Sequence, residues 1–317
     1  MILDAQSGVK YAIVGPTGIG KTAAAVCLAP LIDAEILSAD SMQVYRHMDL
    51  GTAKPTPDEL AAARFHLVDV AEPDQEWTLA DFQSAAEAAR QEVLGRGKLP
   101  LIVGGTGLYV RAITSQLDIP TVPPDEEFRA EKRAFAEANG NEALHAELAR
   151  IDPTAAARIH VNDVKRIVRA LEVFHVQGET ISDLHARNQE TARHDPVVIV
   201  GMNYGDRRAL YARIDSRVDQ MVKAGFVEEV RSLLDRGYSA DLKPMQALGY
   251  RHMARYLAGE TNFDDAVLEM KQDTRHFARR QLIWFRGDAR VQWIEVDGLG
   301  VDEIARRIEA IFKNTVS

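Results

Sequence analysis

The segment Gly15-Pro16-Thr17-Gly18-Ile19-Gly20-Lys21-Thr22 constrains this chain more than any other. It matches a glycine, four free positions, then Gly-Lys-Ser/Thr, and it follows the apolar run Tyr11–Val14. Glycines in such a turn let successive backbone N–H groups face one concavity and hold phosphate oxygens. Lys21 adds a mobile positive charge, and the Thr22 hydroxyl can ligate a Mg²⁺ that bridges those phosphates. The alanine-rich stretch Thr22–Leu31 reads as a helix whose N-terminus favours an anion. A strand, this loop and a helix predict a site for a di- or triphosphate.

Composition narrows the class. With 317 residues, 46% hydrophobic and 27% charged, the chain is expected to be globular and soluble, as one large domain or two ordinary ones. No run of about 18 apolar residues is present, so no transmembrane helix is expected. Met1–Lys10 lacks the basic and apolar regions of a secretory signal. The single cysteine, Cys27, excludes an internal disulfide and a Cys-based zinc site, which points to the cytoplasm. A net charge of −9 argues against non-specific coating of nucleic acid but allows a local basic surface.

Short apolar runs at Tyr11–Val14, Glu35–Ala39, Phe65–Val70 and Leu99–Gly104 alternate with helical patterns, notably Thr78–Arg96 with Thr78 as N-cap and Asp81 three residues on. The alternation predicts an α/β fold, a parallel sheet covered on both faces. Ligands of such sheets sit beyond the carboxyl ends of the strands, which singles out Gly15–Thr22, Asp40–Val44 and Gly104–Tyr109. Three prolines in Leu117–Pro124 mark a boundary. From Asp125 to Asn188 the chain reads as all-helical, at Asp125–Ala138, Glu142–Arg150, Asp163–Gln177 and Ile181–Arg187. Strand character returns at Pro196–Met202, then helices near Asp206–Ala224, Phe226–Arg236, Met245–Leu257 and Phe263–Arg286, a strand at Val291–Val296 and a helix at Asp302–Lys313. The expected organisation is a P-loop NTPase-like core, residues 1–120 and 195–317, with an all-helical insertion domain at 121–194.

Asp40, ending the second strand in Ser38-Ala39-Asp40-Ser41, faces the phosphate site, where it could bind Mg²⁺, accept a proton or simply cap its loop. Gly104-Gly105-Thr106 stands where many phosphate-loop triphosphatases carry a magnesium-binding Asp. That substitution points away from nucleotide hydrolysis. Thr106 could donate to a departing anion. Basic side chains gather at Lys165, Arg166 and Arg169, at Arg213 and Arg217, and at Lys271, Arg275, Arg279, Arg280 and Arg286 beside Trp284 and Phe285. Such groups suit RNA phosphates and unpaired bases, or form a solvated helix face. His66 and His252 have no metal-ligand spacing and are expected to be structural.

Together these motifs resemble the tRNA dimethylallyltransferase family in its short bacterial form. The likeness rests on residues 15–22, Ser-Ala-Asp-Ser-Met-Gln-Val-Tyr (38–45), Gly-Thr-Ala-Lys-Pro (51–55), Gly-Gly-Thr-Gly-Leu-Tyr (104–109), Ala-Leu-Gly-Tyr-Arg (247–251) and Thr-Arg-His-Phe-Ala-Arg-Arg-Gln-Leu-Ile-Trp-Phe (274–285). Gly18 and Ile19 depart from the commoner Ala and small residue, and Phe65-His66 stands where the family often has two histidines. The resemblance implies transfer of a dimethylallyl group from its diphosphate to N6 of the adenosine 3′ to a tRNA anticodon. It implies Asp40, Thr106 and Arg217 in catalysis, diphosphate on Gly15, Pro16, Thr17, Gly18, Ile19, Gly20, Lys21 and Thr22, and Mg²⁺ on Thr22. The tRNA anticodon stem-loop would meet Asp40, Ser41, Met42 and Gln43, then Lys165, Arg166, Ile167, Val168 and Arg169 on the insertion. Further contacts would come from Gln246, Ala247, Leu248, Gly249, Tyr250 and Arg251, and from Arg275 and Arg279. The chain is expected to work as a monomer, without a membrane. An adenylate prenyltransferase shares the core but has no need of the basic helices. A nucleotide kinase or a nucleotide-dependent switch explains the loop but not Gly-Gly-Thr.

Overall fold

The computed structural model describes residues 3, 5–115, 124–191 and 196–314. The chain divides into two compact units, Met1–Thr114 with His194–Ser317, and Ser115–Arg193. The expected boundaries at 120/121 and 194/195, and the proline-rich segment apart from Pro124, lie outside the described residues.

The first unit opens with β1 (Lys10–Val14), α1 (Lys21–Leu28), β2 (Ala34–Ser38), α2 (Pro57–Ala62), β3 (Phe65–His66), α3 (Leu79–Gly95), β4 (Leu99–Gly104) and α4 (Gly107–Thr114). The second unit contains α5 (Glu126–Asn139), α6 (Asn141–Ile151), α7 (Pro153–Ala156), α8 (Val164–Gln177) and α9 (Ile181–Thr191). The chain then completes the first unit with β5 (Val197–Asn203), α10 (Arg207–Lys223), α11 (Phe226–Asp235), α12 (Tyr250–Leu257), α13 (Phe263–Arg286), β6 (Val291–Glu295) and α14 (Val301–Asn314).

The six strands are all parallel, in the order β3-β2-β4-β1-β5-β6. Alternation along each strand feeds two apolar layers. Tyr11 and Ile13 of β1 join Leu101 and Val103 of β4 beneath α1, α10 and α14, where Tyr11 packs on Phe312. Ala12 and Val14 join Leu37 and Ile102 in the other layer with Phe82 of α3, Val230 of α11 and Met253 of α12. Both faces are covered, so the central strands read as continuous apolar runs.

Several local expectations hold and several shift. Thr78 and Asp81 form a reciprocal capping box at the start of α3, as their spacing predicts. The helix expected at Thr22–Leu31 ends at Leu28 and tightens into a 3₁₀ turn, because Pro30 offers no N–H to continue it. The strand expected at Phe65–Val70 shrinks to two residues. Leu67 and Asp69 take positive φ, and Asp69 and Val70 bond instead to the carbonyls of Gln43 and Val44. The helix expected from Met245 starts at Tyr250, after Gly249 with φ +88°. The short helices α2, α4 and α7 were not foreseen.

In the second unit, Glu172 is fully buried and anchors α8 to the start of α5. Arg169 donates to it at 2.6 Å, Arg129 pairs with it at 2.8 Å and the Asp125 N–H donates at 2.8 Å. Burial raises its pKa, yet these three partners outweigh burial and keep the carboxylate ionised.

Glu35 plays a similar part near the amino end of β2. Its carboxylate sits 2.7 Å from both His66 Nε2 and Arg96 Nη2, and burial, which opposes ionisation, is overcome by these bonds, giving a pKa of about 2. His66 is thus a structural hydrogen-bonding residue. A depressed folded-state pKa supplies stability that is full above the unfolded carboxylate range, about 4.3, and is lost as pH falls toward 2. Glu35→Gln is expected to cost about 1–3 kcal/mol at pH 7, with the gap to wild type closing between pH 5 and about 2. Urea midpoints measured at stepped pH check this; equal midpoints at pH 7 would contradict it.

Candidate active site

Pairing of Val14 with Gly104 and of Ser38 with Val103 brings the carboxyl ends of β1, β4 and β2 to one level. Three loops distant in sequence therefore meet: Gly15–Thr22, Gly104–Thr106 and the turn after Ser38. The Thr106 N–H donates to the Ala39 carbonyl at 3.2 Å and ties the second loop to the third.

In the first loop Gly15, Gly18 and Gly20 all take positive φ, which a side-chain-bearing residue would resist. Lys21 begins α1, and its ammonium folds back to donate to the Pro16 carbonyl at 2.9 Å. Thr22 follows in the first turn, beside the N–H groups that a helix start leaves free. Arg213 of α10 donates to the Gly18 carbonyl at 3.2 Å. The Ile19 side chain is buried in the core, so only its backbone is available to an anion. Burial pushes the Lys21 ammonium down to about 8, with Asp40 opposing and Arg217 adding to the fall. Burial likewise lowers Arg217, while Asp40 and Glu59 pull it back up. Two desolvated cations and one carboxylate thus share a small region, an arrangement short of negative charge.

Asp40 divides its two oxygens. Oδ1 accepts from the N–H groups of Met42 at 2.9 Å and Gln43 at 3.4 Å and shapes the turn. Oδ2 has no hydrogen bond among the described residues. Loop capping and proton acceptance are therefore compatible in one side chain. Thr106 Oγ1 accepts from the Ser41 N–H at 3.0 Å and is directed toward Ser41 Oγ at 3.3 Å, which holds the hydroxyl against the Asp40 turn.

The other residues singled out in the sequence have varied surroundings. Gln43 bonds through its amide to Ser38 and to the carbonyls of Thr52 and Ala53. Gln246 donates to Ala240 O at 2.8 Å. Ala247 and Leu248 are half-buried. The Gly249 N–H donates to Nδ1 of buried His252, whose Nε2 then faces Asp273 at 3.2 Å, and Arg251 pairs with the same Asp273. Tyr250 is fully buried and its hydroxyl donates to Glu229 at 2.6 Å. Glu229 also accepts the N–H groups of Asp49, Leu50 and Gly51, which fixes the loop carrying Gly-Thr-Ala-Lys-Pro. Arg275 donates through Nη1 to both carboxylate oxygens of Asp215 of α10, whereas Arg279 is exposed without a partner among the described residues. In the second unit, Ile167 and Val168 lie in the apolar core, and Lys165 and Arg166 are exposed. The side chains of Ile167 and Val168 thus have no free surface for RNA, because α8 turns that stripe inward.

One residue was missed. Gln281 of α13 accepts the Thr17 N–H at 2.8 Å and donates to the Gly105 carbonyl at 2.8 Å. Its signal was present: Ala278, Gln281 and Phe285 share the buried stripe of α13 at helical spacing, so a polar group falls where an apolar one is expected.

Comparison with known proteins identifies the family. A family model described as IPP transferase matches residues 43–288, and one described as isopentenyl transferase matches residues 9–72. A tRNA dimethylallyltransferase of Symbiobacterium thermophilum is 46% identical over 286 residues, covering 90% of this chain and 89% of that protein. The crystal structure of the full-length tRNA isopentenylpyrophosphate transferase of Bacillus halodurans superposes with a TM-score of 0.71 at 39% identity, covering 97% of each chain. A eukaryotic dimethylallyltransferase acting on tRNA shares the fold, with a TM-score of 0.77 at 23% identity over 97% of this chain and 79% of that one. With the phosphate-type loop, the Asp40 turn and Thr106 at one sheet edge, the chain belongs to the IPP transferase family, that of the tRNA dimethylallyltransferases.

Proposed function

We propose that this chain transfers a dimethylallyl group from dimethylallyl diphosphate to N6 of the adenosine 3′-adjacent to a tRNA anticodon, releasing diphosphate. The observation that carries this is the meeting of an anion cradle, the Thr106 hydroxyl and the unbonded Oδ2 of Asp40. In the reaction, the N6 lone pair attacks the allylic C1, the C1–O bond breaks, and its electron pair leaves on the diphosphate. The N6 proton passes to Asp40 Oδ2, making the amine a better nucleophile as the new bond forms. Backbone N–H groups of Gly18–Thr22, with Lys21 and Arg217, hold the anion, and Thr106 stabilises the departing oxygen.

No three His, Cys, Asp or Glu side chains among the described residues converge to hold a metal. The donor set at the loop, one hydroxyl on Thr22 and the nearby Asp40 carboxylate, instead fits a cation carried mainly by substrate oxygens and water, which is how Mg²⁺ is commonly bound. Bound there, Mg²⁺ would offset charge on the diphosphate.

The stacked adenine has to leave the anticodon loop to reach Asp40. Among the basic groups, Lys165, Arg166, Arg279, Arg280 and Arg286 are exposed, and we assign RNA backbone contacts to Lys165, Arg166 and Arg279. Arg169 and Arg275 already serve buried or half-buried carboxylates.

The test is incubation with dimethylallyl diphosphate and either unmodified tRNA or free AMP, with nucleoside mass spectrometry of the product. N6-prenylated adenosine from tRNA alone is expected; product from AMP alone would contradict the proposal. Asp40→Asn should keep donor and tRNA affinity while the single-turnover rate falls about 10²–10⁴-fold. Rescue of that variant by added Mg²⁺, together with weak donor binding, would move Asp40 to metal binding instead. Lys165→Ala with Arg166→Ala should weaken tRNA binding and flatten log affinity against log salt by about 0.7 for each single-strand phosphate the variant leaves unneutralised. An unchanged slope would leave this face solvated.

A further inference from the structure

Gln281 is 5% exposed on the inward stripe of α13, between Ala278 and Phe285, where a bare amide would be costly. Both of its ends are satisfied by backbone. The Thr17 N–H, inside the anion cradle, reaches Oε1, and Nε2 reaches the carbonyl of Gly105, the residue before Thr106. Only one orientation of the amide does this, since the flipped one would set NH₂ against N–H and oxygen against carbonyl. The approach is close enough that a Cβ at Gly105 would lie 2.3 Å from Gln281 Nε2. The helix itself is pinned to α10, which carries Arg217, by Arg275 on Asp215 and by Lys271 on Asp219 at 2.6 Å.

We propose that Gln281 is a positioning residue that sets the spacing between the diphosphate cradle and the Thr106 hydroxyl. Its catalytic consequence rests on the prenyl-transfer function proposed above. Gln281 touches no reacting atom; it acts through Thr17 on one side and Thr106 on the other. If the spacing drifts, donor still binds the cradle, but the leaving oxygen and the Thr106 hydroxyl no longer align.

Gln281→Leu keeps the volume and removes both hydrogen bonds. The saturating single-turnover rate of prenyl transfer is expected to fall about 10–100-fold, the range for a catalytic group displaced by a fraction of an ångström to 1 Å. Affinity for inorganic diphosphate and for tRNA should change by less than about 3-fold. Gly105→Ala should reproduce the defect by pushing on the same contact, and Gly105→Ala combined with Gln281→Ala should lose less than the product of the single effects. Hydrogen exchange at Thr17 and across Gly104–Thr106 should speed up in Gln281→Leu. This readout needs no transfer, so a wild type that makes no prenylated adenosine would count against the proposed function alone. Wild-type rate and exchange in Gln281→Leu, purely multiplicative losses in the double variant, or a rate defect that vanishes well below the melting temperature would overturn the positioning role.

Discussion

The placing of β4 between β1 and β2 is the constraint on which the site depends. Parallel strands share direction, so all their carboxyl ends emerge on one edge, and β4 brings Gly104–Thr106 between the loops that leave Val14 and Ser38. The closeness is possible because β4 ends in glycines. A Cβ at Gly104 would lie 2.1 Å from the Ala39 carbonyl oxygen, so a larger residue would force β4 away from the Asp40 turn. The same ends are reinforced from outside the sheet by Gln281 on α13 and by Arg213 on α10.

Charge at the site follows from this crowding. Lys21 and Arg217 are both desolvated and both feel Asp40, which partly offsets the cost of holding two cations near each other. An anion of two phosphates would complete that balance. The wider protein, at −9, handles its remaining basic groups differently. Several that looked like an RNA surface in the sequence bind carboxylates within the fold: Arg169 holds Glu172, Arg275 holds Asp215, and Arg251 holds Asp273. Charge in a linear sequence cannot tell a structural pair from a free contact: Arg275 and Arg251 have their partners on another helix, and Arg169 meets Glu172 on its own helix, where only the fold shows that Glu172 is buried.

What was legible in the sequence was what period and local chemistry determine. Leu99–Gly104 and Phe263–Arg286 were bounded correctly by their apolar patterns, and Thr78 by its capping chemistry. The Gly15–Thr22 cradle, the Asp40 turn and the Gly-Gly-Thr loop were identified as strand-end loops, and the topology explains why they meet. Misread elements are those where a nonlocal bond won. Leu67–Val70 has strand-like residues but pairs with the loop after β2, and Tyr250 starts its helix late because Gly249 turns and its N–H is taken by His252. Gln281 went unassigned because its role is visible only once two loops from the far end of the chain are beside it.

The central claim is that a phosphate-type loop here holds a leaving diphosphate and not a nucleotide undergoing hydrolysis. Counting products in one reaction tests it most directly: tRNA, dimethylallyl diphosphate and ATP with the wild-type protein, with prenylated adenosine, free diphosphate and adenine nucleotides measured together. One diphosphate should appear for each prenyl group added, with ATP intact. ADP or AMP formed in step with tRNA modification would contradict the account.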